Sequence, residues 1–122
     1  MELKMRFIIL FVLLISGLYA ESASYNRGEV LFFVKGCSSC HGPSAEGSTM
    51  YPKLANKPKK YLIKKLEDFK AGKAITVSQQ MMAQFANELD DKNIEDLATF
   101  LSQHKEMKTE DVPDDYLGGV GS

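Results

Sequence analysis

Two cysteines three positions apart, followed at once by a histidine, constrain this chain more than any other stretch: Cys37-Ser38-Ser39-Cys40-His41. C-x-x-C-H is the pattern of c-type haem attachment. Both sulfurs add to the two vinyl groups of one porphyrin, and the intervening pair sets the span between the thioethers. The histidine is then held under the iron, where its Nε2 serves as proximal ligand. Cys37 and Cys40 are the only cysteines, so none is left for a structural disulfide. Three blander readings compete. Zinc needs four ligands in a tetrahedron; the soft and imidazole donors are only Cys37, Cys40, His41 and the distant His104, and contiguous Cys40 and His41 reach one tetrahedron with difficulty. A thioredoxin-like C-x-x-C follows a strand in a βαβ context, and no such alternation is present. A plain disulfide leaves His41 unexplained.

At 122 residues the chain has room for one domain and one core. Its formal net charge of −1 argues against nucleic acid as the main partner. Residues 1–20 read as a signal peptide that stands apart from the fold. Lys4 and Arg6 make a basic start, Phe7 to Ile15 is an unbroken apolar run, and Ala20 is a small residue for cleavage before Glu21. Even extended to Leu18, the run is short of the roughly 20 residues of a membrane span. Leu18 suits the position three before the cut poorly, which keeps an uncleaved anchor as the alternative. No cysteine lies at the junction, which excludes a lipoprotein. The expected location is the periplasm, since c-type attachment takes place on the outer side of the bacterial inner membrane. A membrane becomes a partner only if the leader is uncleaved.

From Tyr25 to Lys35, Val30, Leu31, Phe33 and Val34 recur at helical spacing and Gly36 ends the segment, though a short buried strand fits the same residues. Gly28, four residues before Phe32, hints at close helix packing. Gly42 to Thr49 is a loop rich in turn formers. Pro58 suits the first turn of a second helix, which carries Tyr61, Leu62, Leu66 and Phe69 and closes at Gly72. Lys73 to Gln80 reads as a polar connector. A third apolar pattern begins at Met81 and runs through Met82, Phe85, Ala86 and Leu89. Asp90 or Asp91 caps a last helix, with Glu95 and Asp96 near its positive end; Ile94, Leu97, Ala98 and Leu101 form its apolar face, widened by Phe100. Residues 106–122 are an acidic, glycine-rich tail expected to be flexible. A single C-x-x-C-H implies a single haem.

From about Tyr25 to His104 the chain resembles the class I cytochromes c, especially the small bacterial periplasmic electron carriers. C-S-S-C-H-G carries the haem in that family. Y-P-K-L-A-N resembles the Pro-x-Leu step that follows it, Y-L-I-K-K-L-E-D-F-K-A-G the middle helix, and M-M-A-Q-F-A-N-E-L-D-D-K-N-I-E-D-L-A-T-F-L the ligand methionine and final helix. The resemblance implies an all-α cytochrome c fold over 21–105, with about four short helices around one covalently bound haem. It also implies a second axial ligand: a methionine just before the last helix. Met82 is chosen over its neighbour Met81, because similar cytochromes with a Met-Met pair use the second; Met50 lies too near His41 and Met107 follows the last helix. The backbone carbonyl of Pro52 is expected to accept His41 Nδ1–H, and Leu54 to pack on the haem face. First and last helices are expected to cross, with Gly28 and Phe32 (or Phe33 in place of Phe32) meeting Leu97 and Phe100. His104 is read as an exposed helix-end residue and not a ligand.

A six-coordinate His/Met iron leaves no open position for substrate, so the implied function is a one-electron shuttle and not an enzyme. A haem-based sensor or enzyme, or a membrane-anchored cytochrome subunit of a larger redox complex, is the alternative. The implied partners are redox proteins docking transiently. A quinol–cytochrome c reductase and a terminal oxidase or peroxidase are plausible neighbours, and no residue selects among them. Charge is divided along the chain: Lys53 to Lys73 holds eight lysines against Glu67 and Asp68, whereas Ala74 to Ser122 holds ten acids against three lysines. Read functionally, the basic segment steers docking to an acidic redox partner; read structurally, the two are solvated helix faces.

Overall fold

The computed structural model describes residues 1–104; the tail at 106–122, with Met107, lies outside the described residues. Among those described, helix is the only regular structure, in the order α1 (Glu2–Val34), α2 (Cys37–His41), α3 (Lys59–Lys70), α4 (Val77–Asn87) and α5 (Asp91–Gln103). The all-α expectation holds. One more helix is present than expected because the haem-attachment motif coils into a helix of its own, α2.

α1 is far longer than the segment from Tyr25 to Lys35. No proline interrupts Glu2 to Val34, and its leader half is built from good helix formers. The 33 residues span about 50 Å at the α-helical rise. The apolar window near the N-terminus has a mean hydropathy of 2.0 and is 0% buried. Among the described residues, the first side-chain hydrogen bond from α1 to another helix comes at Glu21, whose carboxylate accepts from Gln103 Nε2 at 2.6 Å.

The core lies where α1 meets α5. A Cβ at Gly28 would lie 2.0 Å from the Asp96 carbonyl oxygen and 2.8 Å from Phe100 Cβ, so only a glycine lets the two backbones approach this closely. One turn on, Phe32 is fully buried, with its ring centroid 5.6 Å from that of Phe100. Phe32 shares the face of Gly28 by its i, i+4 spacing, whereas Phe33 points away and is 48% exposed. That excludes Phe33 from the inter-helix role. Leu97 and Leu101 complete the same cluster.

Asp96 does more than complement the positive end of α5. It is buried, and its carboxylate accepts from Arg27 Nε at 2.8 Å, Arg27 Nη2 at 3.0 Å and Ser24 Oγ at 2.6 Å. The Arg27 hydrogen bonds hold this carboxyl below its ordinary range; burial opposes them, and Ser24 adds to them. A depressed folded-state value means stability that is present at neutral pH. It is lost as pH falls below the unperturbed carboxylate value of about 4 and through the lower folded one. Asp96→Asn is therefore expected to flatten the acid limb of thermal stability measured against pH. An acid limb of unchanged slope would remove this account.

Caps fix the remaining boundaries. Pro58 stands one position earlier than expected, as the residue capping α3, because its ψ of 132° is extended and not helical. The connector after Gly72 is shorter than Lys73 to Gln80. Thr76 Oγ1 accepts from Gln79 N at 3.2 Å while the Gln79 side chain accepts from Thr76 N, a capping box that starts α4 at Val77. Asp90, not Asp91, caps α5 through the same reciprocal arrangement with Asn93. His104 departs from its expected exposure: it is half-buried, its ring tilted over Phe100 with centroids 4.9 Å apart. The backbone turns extended there, and the imidazole covers the end of the aromatic cluster.

Candidate functional site

Gly36 adopts a left-handed backbone, φ 75°, between α1 and α2, a conformation that glycine takes without steric cost. It turns the chain so that Cys37 and Cys40, one helical turn apart, sit half-buried along a single cleft. Burial pushes the Cys37 thiol up, with its own backbone and Lys35 pulling the other way. This sulfur therefore stays protonated at neutral pH.

His41 ends α2 and is only 4% exposed. Its Nδ1 lies 2.8 Å from the Pro52 carbonyl oxygen. A carbonyl only accepts, so Nδ1 carries the proton and Nε2 is left with its lone pair. That Nε2 is buried and has no hydrogen-bond partner. An unsatisfied buried acceptor costs about 1–3 kcal/mol, and a metal is the partner that a bare, oriented imidazole nitrogen suits. The loop that positions the Pro52 carbonyl is itself tied down. Ala45 O accepts from Leu54 N at 2.9 Å and Ala55 N at 3.0 Å, and Asn56 N donates to Leu101 O on α5 at 2.7 Å.

The cleft has a volume of about 480 Å³, within the usual size of a cofactor pocket. Phe32, Leu62, Leu97 and Leu101 line it from the core, and Leu54 joins them, half-buried. α4 contributes Met81, Met82 and Phe85. Met82 is half-buried and Met81 is 47% exposed. All the residues read from the sequence as site residues, Cys37, Cys40, His41, Pro52, Leu54, Met81 and Met82, thus line one cleft. Met50 lines it as well, from the same loop as Pro52. The part played by α3 was not legible beforehand: Tyr61, Leu66 and Phe69 also face the cleft, and their spacing marks a helix face without saying what it covers.

Among the described residues, no group of three or more His, Cys, Asp or Glu side chains is arranged to hold a metal ion alone. A flat apolar macrocycle with its own metal fits these residues: two sulfurs for attachment, one bare imidazole nitrogen, a thioether across α4, and apolar walls.

Residues 25–105 match the family model of cytochrome c. Cytochrome c4 of Azotobacter vinelandii is 30% identical over 85 residues, 67% of this chain and 40% of that protein. Cytochrome c-554(547) of Halothiobacillus neapolitanus is 30% identical over 77 residues, 57% of this chain and 85% of that one. The chain thus spans less than half the length of the cytochrome c4 relative and most of the length of the other. A crystal structure of reduced recombinant cytochrome c4 from Pseudomonas stutzeri superposes with a TM-score of 0.61 at 29% identity, covering 69% of this chain and 50% of that one. With a family match across nearly all of the domain that the cleft is built from, the chain belongs to the cytochrome c family, as a class I c-type cytochrome whose cofactor is covalent haem c.

Proposed function

We propose that this chain is a periplasmic one-electron carrier of a respiratory electron-transfer chain. It holds one haem c through Cys37 and Cys40, with His41 and Met82 as axial ligands. The observation that carries this reading is the His41 imidazole, whose Nδ1–H is fixed on the Pro52 carbonyl while Nε2 stays buried and bare. When bound, haem supplies a ferric/ferrous couple that exchanges one electron. Pro52 orients the imidazole and raises the basicity of Nε2. The Met82 thioether favours the ferrous state, and the walls formed by Leu54, Leu62 and Leu97 disfavour added positive charge; both raise the potential. None of these residues has to move a proton, so no catalytic role is assigned.

Visible and near-infrared spectra of the periplasmically expressed protein test the ligand set. A low-spin c-type spectrum is expected, with a near-infrared Met–Fe band lost completely in Met82→Ala and retained in Met81→Ala. Loss of the band in Met81→Ala alone would transfer the ligand to that residue. A high-spin haem, or one that binds carbon monoxide readily at neutral pH, would replace the carrier reading by a sensor or enzyme.

The exposed apolar half of α1 favours a second reading, a cytochrome subunit held at the membrane by an uncleaved leader. The mass of the purified protein separates the two: an N-terminus at Glu21 removes the anchor, and an intact Met1 in the membrane fraction establishes it.

A further inference from the structure

The loop between α2 and α3 carries the Pro52 carbonyl to His41, and its tightest point is Gly47. On one side Gly47 is tied to the backbone of the ligand itself, because its N–H donates to the His41 carbonyl oxygen at 2.7 Å. On the other side it faces the segment that bears the acceptor of the imidazole. A Cβ at Gly47 would lie 2.5 Å from Lys53 N, 2.7 Å from the Pro52 carbonyl carbon and 2.7 Å from the Tyr51 carbonyl oxygen. All three are backbone atoms, which cannot turn aside as the end of a long side chain can. Ser48 closes the turn beside it. Its N–H donates to the Tyr51 carbonyl oxygen at 2.8 Å, and its Oγ accepts from Met50 N at 3.2 Å and Tyr51 N at 3.3 Å. Pro52 has no N–H with which to anchor its own peptide, so the residues around it fix where its carbonyl points.

We infer that Gly47 and Ser48 are positioning residues for the axial histidine. Gly47, by lacking a Cβ, seats the Pro52 carbonyl against His41 Nδ1–H, and Ser48 holds the turn that delivers it. The inference rests on the electron-carrier reading and deepens it. Neither residue lines the cleft; both act through one hydrogen bond, the 2.8 Å contact of Nδ1 with the Pro52 oxygen. That bond gives the ring partial imidazolate character and makes Nε2 a stronger donor, which favours ferric iron. A residue that sets the length of the bond therefore sets the potential without touching the cofactor. Two consequences of disturbing the loop differ in sign. Moving the carbonyl away weakens the donor and favours ferrous iron. Loosening the loop and nothing more admits water to the site, which favours the added charge of ferric iron. The direction of the change thus tells positioning from mere structural support.

The haem-loaded variants Gly47→Ala and Ser48→Ala are compared with wild type by redox titration and by NMR of the His41 Nδ1–H proton in the ferrous state. Gly47→Ala is expected to raise the ferrous-to-ferric ratio at a fixed ambient potential roughly threefold, about 28 mV for a one-electron couple. Exchange of the Nδ1 proton with solvent is expected to become roughly tenfold faster. Ser48→Ala is expected to move both readouts in the same direction by less. It introduces no clash, so it decides the matter if Gly47→Ala yields no haem-loaded protein. Gly72→Ala is the control: Gly72 has a φ of 78°, close to the 72° of Gly47, but nothing lies within 4 Å of its Cβ position. It shares the left-handed strain and is expected to leave potential and exchange unchanged. An unchanged potential and exchange rate in either loop variant, a fall in potential, or an equal shift in Gly72→Ala overturns the proposal. The wild type separates this failure from the larger one. Without a low-spin haem and a reversible one-electron titration, the carrier reading falls and the positioning role with it; with both present and no response to the variants, only the positioning role falls.

Discussion

A Cys37→Ser/Cys40→Ser chain, purified without cofactor, is expected to keep much of its helix but lose its cooperative thermal transition. The reason lies in where the cleft sits. Phe32, Leu62, Leu97 and Leu101 are core residues and lining residues at once, so a cleft of about 480 Å³ takes the place of the domain's own centre. Net stability of domains is about 5–15 kcal/mol, and an unfilled centre leaves the inward faces of α3 and α4 with little to pack against. The buried Nε2 of His41 adds the cost of an unmet acceptor. Far-UV circular dichroism through a thermal scan, compared with the haem-loaded protein, measures the effect. A sharp two-state melt at the temperature of the loaded protein would show that the helices hold one another without the cofactor.

Gly28→Val is expected to be the most damaging single substitution on the side of the domain away from the cleft. The atoms that its Cβ meets are the Asp96 carbonyl oxygen at 2.0 Å and the Asp96 carbonyl carbon at 2.6 Å, and backbone inside a helix cannot turn aside as a long side chain can. α1 and α5 must separate, which also parts Phe32 from Phe100 and stretches the Arg27–Asp96 pair. Overpacking of this kind costs about 3 kcal/mol or more, equivalent to a fall of roughly 12 to 24 °C in Tm for a domain of this size. Gly28→Ala is expected to follow closely, because the clash already arises at Cβ. Val30→Ala, on the exposed face of the same helix, is the control and is expected to stay within about 0.5 kcal/mol of the wild type. Equal melting temperatures for Gly28→Ala and wild type would refute the contact.

Some of this protein was legible along the chain because the physics that specifies it is local. Cys37, Cys40 and His41 lie within one helical turn and act on one cofactor, so spacing alone carries their chemistry. Ile94, Leu97, Ala98 and Leu101 repeat with the period of α5, and Asp90 is the side chain that ends it. The Thr76–Gln79 box is equally local, but the stretch around it lacks an apolar period; the cap, not the period, marks that helix start. The leader's merger with α1 was hidden for the opposite reason: its function as an export segment drew a boundary where the backbone, having no breaker, makes none.

Other features have no local cause. Phe32 and Phe33 are neighbours with the same side chain, and only the direction of α5 against α1 buries one and exposes the other. Arg27 and Asp96 stand 69 residues apart, each an ordinary helix-surface residue by pattern, until the crossing at Gly28 brings them into contact and buries the carboxylate. The lysines of α3 read as one basic run, but helix rotation turns Lys59 toward Glu95 and Lys65 toward the cleft. In each case the deciding term is a contact between distant segments, whose energy exists only after the helices have packed. Residue type and spacing therefore name the cofactor, while packing against α5 selects the buried phenylalanine, the half-buried Arg27–Asp96 pair and the side chains that face the cleft.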